Sequence, residues 1–185
     1  AHNFVLSYTY DLPLGRLTSS GVGRKFLDGW RLTGITRFTT GLPISMSESG
    51  DWSLCGCGGV DRPNYSGAAI QIMEPRTSPD FQYFSTDAFS SEAGPDPDNN
   101  PILGVAGNAN RRFFHGPGLN NWDFSLHKTT KITESTSIEF RAEFFNIVNH
   151  AQFRNPSGNF SSGNFGKVTD ARDPRIGQLA LKFNF

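Results

Sequence analysis

The 185-residue sequence predicts an all-β fold, an antiparallel meander of about five strands with long loops. Five segments alternate apolar and polar side chains with the period of two that is typical of a strand. They lie at about residues 3–10, 30–40, 121–127, 137–144 and 176–185. Helical spacing is not sustained in any segment, and the 20 Gly and 11 Pro suit many turns. These observations together favour strands joined by loops.

The predicted strands have the length and the two-sided pattern of membrane strands. Each is expected to run about nine to eleven residues, which crosses a bilayer when the strand is tilted. The last ten residues show the pattern best, because Leu179, Leu181, Phe183 and Phe185 share one apolar face. Alternation of this kind is typical of a transmembrane β-strand. It also fits a half-buried strand of a soluble sheet.

The connections between the predicted strands differ in length. Residues 41–120 separate strands two and three, and residues 147–175 separate strands four and five, whereas the short segment 130–135 joins strands three and four. Outer-membrane barrels have short periplasmic turns and long external loops. With a periplasmic C-terminus, both long connections are expected outside the cell. We therefore expect 41–120 to be a long extracellular loop region with little regular structure.

The polar face of strand four carries charges of alternating sign, Glu139, Arg141 and Glu143. In a barrel this row would face a wet lumen, and in a sandwich it would form the solvated face. The 17 basic and 17 acidic residues cancel. Composition therefore gives no electrostatic reason to expect a nucleic-acid partner.

The two cysteines, Cys55 and Cys57, are one residue apart. Such a pair could close a loop in an oxidising compartment or offer two thiolates to a soft metal. With no second pair and no nearby His, the sequence predicts no metal site.

Catalytic motifs are not found in the sequence. No Gly-x-Ser-x-Gly elbow or phosphate loop occurs, and the Gly-Val-Gly segment at 21–23 is interpreted as a turn that opens no helix. Asp123 and His127 share a strand face but lie about 13 Å apart, too far to bind one ion. Glu139 and Glu143 are equally distant, so a glycosidase pair would need carboxylates from two strands. We therefore predict no catalytic residues and no cofactor.

A series of short motifs runs in one order along nearly the whole chain. Their positions are 12–15 (Leu-Pro-Leu-Gly), 29–35 (Gly-Trp-Arg-Leu-Thr-Gly-Ile), 40–44, 62–64, 116–118, 121–125, 140–153, 164–169, 174–178 and the final Phe185. As an ordered set they resemble the C-terminal end of TonB-dependent outer-membrane receptors. The similarity is to the Oar-like group, whose N-terminus carries a carboxypeptidase-regulatory-like domain.

This resemblance implies a plugged barrel of about 22 strands in the bacterial outer membrane. Residues 1–185 would supply the C-terminal portion of such a barrel, which imports a large nutrient of the glycan, siderophore or peptide class. The implied partners are outer-membrane lipid, the remainder of the barrel and its plug, and the TonB complex through the absent N-terminal part. The barrel-insertion machinery would read an assembly signal at Leu179, Leu181, Phe183 and Phe185.

Two alternatives place the same strands in a soluble protein. The first is an all-β carbohydrate-binding module that buries the apolar faces between two sheets. The second is a glycoside hydrolase built on such a sandwich. Either would require the apolar strand faces to be covered by protein.

Overall fold

The computed structural model describes residues 1–19, 21–56, 61–98 and 100–185. The described chain divides into two compact units. The strand unit comprises 2–39, 119–152 and 173–185, and the loop unit comprises residue 1 with 40–118 and 153–172. The strands are β1 (Asn3–Leu12), β2 (Trp30–Thr39), β3 (Pro43–Ser45), β4 (Asn64–Tyr65), β5 (Phe89–Ser90), β6 (Arg112–His115), β7 (Leu119–Lys131), β8 (Ser137–Phe145) and β9 (Ile176–Asn184).

The strand unit is built on one antiparallel sheet of five strands in the order β1-β2-β7-β8-β9. Strands that follow one another within this unit are neighbours in the sheet, so the sheet is a meander. The predicted all-β fold of about five antiparallel strands with long loops is confirmed. Cross-strand pairing joins apolar to apolar positions, for example Phe124 to Phe144 and Phe140 to Leu181. Alternation in the sequence therefore becomes one apolar and one polar face.

The third predicted strand is longer than its apolar pattern. Alternation ends near His127, but β7 continues to Lys131 because residues 128–131 still pair with β8. A tight turn follows, in which the Ile132 amide donates to the Thr136 carbonyl at 2.9 Å. The strand therefore extends past the apolar face that reveals it in the sequence.

The prediction of a turn at residues 21–23 is wrong, because these residues begin α1 (Gly21–Leu27). The Lys128 ammonium donates to the carbonyls of Lys25, at 3.0 Å, and Asp28. It thereby satisfies carbonyls that the end of a helix leaves unpaired. A two-turn helix of this kind depends on tertiary partners, so no sustained periodicity announces it.

The loop unit contains β3 paired with β6 and β4 paired with β5. Between these short pairs lies a hydrophobic core of seven buried residues, Ile44, Met46, Phe84, Ala88, Phe89, Ala109 and Phe165. The connection at 41–120 was expected to carry little regular structure. Its strands are indeed short, but the segment packs with 153–172 around a core of its own. This core includes the aromatic residues Phe84, Phe89 and Phe165, which share no period in the sequence.

Candidate functional site

One face of the five-stranded sheet is apolar and open to its surroundings. Its terminal strand leaves Leu179, Leu181, Phe183 and Phe185 exposed by 72%, 74%, 55% and 96%. Aromatic rings continue the face onto the other strands, where Phe38 meets Phe4 at 6.3 Å and Trp122 edge-on at 5.8 Å. A sandwich would bury these side chains between two sheets. Such a surface instead suits hydrocarbon.

Two aromatic rings on this face lie over glycines of the neighbouring strand. A Cβ added to Gly34 would come within 2.4 Å of the Tyr8 ring, and one added to Gly177 would come within 3.2 Å of the Phe144 ring. The missing side chain lets each ring approach the backbone closely, an arrangement that is also used in designed sheets. These glycines therefore shape the apolar face.

The opposite face carries a connected polar network centred on the predicted charge row. Arg141 lies between Glu139 and Glu143, at 3.7 Å and 3.6 Å. His127 on β7 extends the row, with one ring nitrogen 3.4 Å from Glu139 and the other 2.7 Å from the Ser125 hydroxyl. The structure thus brings the three predicted residues together. Sequence reasoning missed His127 as their partner, because its place beside Glu139 depends on strand register.

The network continues across the sheet to both edge strands. Arg31 pairs with Asp11 at 2.6 Å on one side, and Gln178 donates to Glu143 on the other. Each charged side chain named in this network therefore lies near a partner of opposite sign. A face of this composition suits a water-filled lumen and holds its side chains in fixed positions.

Asparagines near the end of β8 fasten the connection that follows. Asn146 donates to the His150 carbonyl at 2.9 Å and accepts from the His150 amide at 3.0 Å. Asn149 accepts from the Arg175 amide at 3.1 Å. Both asparagines have positive φ, at 50° and 51°, a conformation that Asn tolerates better than most residues. These bonds define where the strand ends.

Three carboxylates are buried in the loop unit, Glu48, Asp61 and Glu92. The Glu48 carboxylate accepts from the Ser91 hydroxyl and, at 2.9 Å, from the Glu92 amide. The Asp61 carboxylate accepts from the Ser53 hydroxyl at 2.6 Å, which is the main reason why the pKa of Asp61 is lowered. None of the three forms an ion pair with a basic side chain within the described ranges.

Glu92 is the unusual member of this group. One oxygen accepts from the amides of Arg62, at 3.1 Å, and Gly107, at 2.9 Å. The other is buried without a donor among the described residues. The Asp61 carboxylate also interacts with Glu92. Burial, with Asp61 as a further cause, raises the pKa of Glu92. No sequence signal marks these residues, because they come from distant segments.

Cys55 lies near Asp51 and Asp61, with the three potential ligand atoms within 4.8 Å of one another. The sulfur of Cys55 is disulfide-bonded, so it offers no thiolate to a metal. Both Asp51 oxygens are 3.1 Å from the Gly56 amide. Cys57, the other residue of the predicted pair, lies outside the described residues.

The two faces of the sheet define a class of protein, the membrane barrel whose strands separate lipid from water. In the part of the chain that the structure describes, no helix has both the length and the apolar character to span a membrane. Residues 1–178 match the family described as Outer membrane beta barrel domain. The chain belongs to this family, and the predicted bacterial outer-membrane location is confirmed. Neither the curated proteins nor the solved structures give a match.

Proposed function

We propose that this chain forms the C-terminal barrel segment of a TonB-dependent receptor that imports a large nutrient across the outer membrane. The observation that carries the proposal is the open sheet. In the described chain, β1 and β9 each pair with one neighbour and form the two edges. Unpaired strand edges are not tolerated in hydrocarbon, so a membrane sheet closes on further strands.

The ordered motifs support the receptor class as the source of those strands. In that class the remaining barrel encloses a plug, and the plug contacts the TonB complex. The row formed by Glu139, Arg141 and Glu143 then lines the lumen, and the terminal Leu179, Leu181, Phe183 and Phe185 serve as the signal for the insertion machinery. Outer-membrane lipid covers the apolar face.

The loop unit supports this proposal because it offers an ordered surface for a substrate. Strands alternate in direction, so the β2–β7 and β8–β9 connections leave the same end of the sheet. These two connections supply all of the loop unit except residue 1. With the C-terminus in the periplasm, the region at 41–120 is extracellular and meets the nutrient first.

Transport is tested by deleting the gene from its host and measuring uptake of labelled siderophores, cobalamin, oligosaccharides and oligopeptides. We expect the uptake of at least one of these compounds to be lost both in the deletion strain and in a strain that lacks TonB. Complementation with the unmodified gene serves as the control. Unchanged uptake of every compound would refute nutrient import.

Orientation is tested with two exposed positions, Ala69 in the loop unit and Ser135 in the turn between β7 and β8. We expect a membrane-impermeant maleimide to label Ala69→Cys on intact cells and Ser135→Cys only after lysis. The unmodified protein controls for background, since Cys55 is disulfide-bonded. The reverse pattern would contradict the proposed orientation.

A further inference from the structure

A basic cavity lies where α1 meets the end of β7. It has a volume of about 390 Å³, and its lining includes Arg24, Lys25 and Lys131. None of these three cations forms an ion pair with an acidic side chain in the part of the chain described here. Asp28 also lines the cavity, and its carboxylate accepts from the Gly29 amide at 3.0 Å. The cavity therefore carries a net positive charge and suits an anion.

The helix beside this cavity presents apolar side chains to its surroundings. Val22 and Phe26 lie four residues apart, on one side of α1, and are exposed by 71% and 72%. Leu17, in the 3-10 turn Leu14–Leu17 before the helix, is exposed by 76%. Cationic and large apolar side chains on one short segment are the composition of a membrane-surface helix.

The helix is attached to the lipid side of the sheet. Trp30 and Lys128 are paired in register and belong to the apolar face. The Trp30 indole donates to the Phe26 carbonyl at 3.0 Å, and the Lys128 ammonium donates to the Lys25 carbonyl at 3.0 Å. These bonds join the last turn of α1 to side chains of the apolar face. The surface of the helix is thus continuous with the surface that meets hydrocarbon.

We propose that Arg24, Lys25 and Lys131 form a binding site for the phosphate headgroup of an anionic phospholipid. Val22 and Phe26 enter the adjoining acyl region. The orientation proposed above places α1 at the periplasmic end of the barrel, so the ligand belongs to the periplasmic leaflet. The three cations, which form no ion pair in the described chain, are complementary in charge to a phosphate. The continuity of the helix with the apolar face of the sheet places them beside the lipid. The inference rests on that orientation but not on the transport activity.

The test uses the protein purified from the outer membrane and exchanged into nanodiscs that contain phosphatidylglycerol and phosphatidylcholine in equal amounts. Native mass spectrometry then counts the lipids that remain bound. We expect phosphatidylglycerol to be retained in preference. The combined variant Arg24→Gln, Lys25→Gln and Lys131→Gln should lower this preference by roughly fivefold for each cation that contacts a headgroup.

A matched control removes three exposed cations elsewhere, with Arg112→Gln, Arg172→Gln and Lys182→Gln. The two variants change the net charge equally, so only a specific site distinguishes them. An equal loss in both variants, or no loss in either, would overturn the proposal. If the first variant fails to assemble, the preference of the unmodified protein for phosphatidylglycerol is measured at increasing salt concentration instead. A preference that does not weaken with salt contradicts an electrostatic site.

The leaflet is decided separately by the turn residue Ser135, which lies at the same end of the strands as α1. Labelling of Ser135→Cys on intact cells would assign the phosphate site to lipid A in the outer leaflet, which overturns the periplasmic assignment. Whether nutrient uptake is lost or retained has no bearing on the result of the lipid-binding test. The lipid site and the transport proposal can therefore fail independently.

Discussion

Substitution of Phe84 by alanine tests whether the long connections fold as a packed unit. Phe84 is fully buried, at 0% exposure. Its ring meets those of Phe114, Phe165 and Phe89 edge-on, at 4.8, 5.3 and 6.2 Å. Removal of a buried Phe side chain costs about 4 kcal/mol, because it removes transfer free energy and leaves a cavity. We expect Phe84→Ala to destabilise the loop unit by this amount.

Native-state hydrogen exchange measures the effect in the assembled protein. The amides of Met73 and Tyr83 are suitable probes, since they donate to the carbonyls of Tyr83 and Gly166 at 2.7 and 2.8 Å. A loss of about 4 kcal/mol raises their opening constant about a thousandfold. If the free energy of unfolding of the loop unit is smaller than this loss, the unit unfolds and both amides lose their protection from exchange.

Phe81→Ala provides the control, since this side chain is 57% exposed and surface substitutions usually stay within about 0.5 kcal/mol. An increase below tenfold in Phe84→Ala, or one equal to that of the control, would refute the argument. The residues at 41–120 would then be a loop without a cooperative core.

Three other predictions follow from separate features of the chain. The pKa of Glu92 is raised in the folded protein, so the contribution of Glu92 to stability falls as the pH rises from the ordinary pKa of a glutamate through the raised one. Glu92→Gln should therefore stabilise the loop unit above this pH window and should not stabilise it below. In urea unfolding, an equal effect of the substitution at all pH values would contradict this expectation. Gly34→Ala should lower the free energy of unfolding by about 1–3 kcal/mol, because the added methyl group clashes with the Tyr8 ring. In a double-mutant cycle, Tyr8→Ala should remove most of this loss, whereas additive effects of the two substitutions would exclude the contact. Deletion of Phe185 should lower the amount of folded, heat-modifiable barrel in outer-membrane fractions several-fold, whereas Asn184→Ala should leave it unchanged. Equal amounts of folded barrel for the two variants would rule out the proposed assembly signal.

The strand sheet was predictable because its surroundings impose a simple pattern. A strand between lipid and water alternates at every residue, as in Leu179, Leu181 and Phe183, and the pattern is visible without knowledge of neighbours. Strand pairing is a different matter. Whether His127 lies beside Glu139 or one step away depends on register, which the lengths of the loops do not specify.

The loop unit was not predictable for the opposite reason. Ile44, Phe84 and Phe165 meet in one core, but they lie far apart in the sequence and share no period. The short helix α1 was also missed, because its C-terminal end is bound by Lys128 from a distant strand. Sequence reading succeeds here where one residue's environment repeats along the chain, and it fails where distant segments create that environment.

The loop unit is assembled from two stretches of chain, 40–118 and 153–172, which are separated by the β7–β8 hairpin. Phe165 from the second stretch packs on Phe84 and Phe89 from the first. An engineer who transplants only the longer stretch onto another barrel would leave its aromatic core open on one side. Grafts, antigens and loop-exchange chimeras made from this protein must carry both stretches together, with a hairpin of matching length between them.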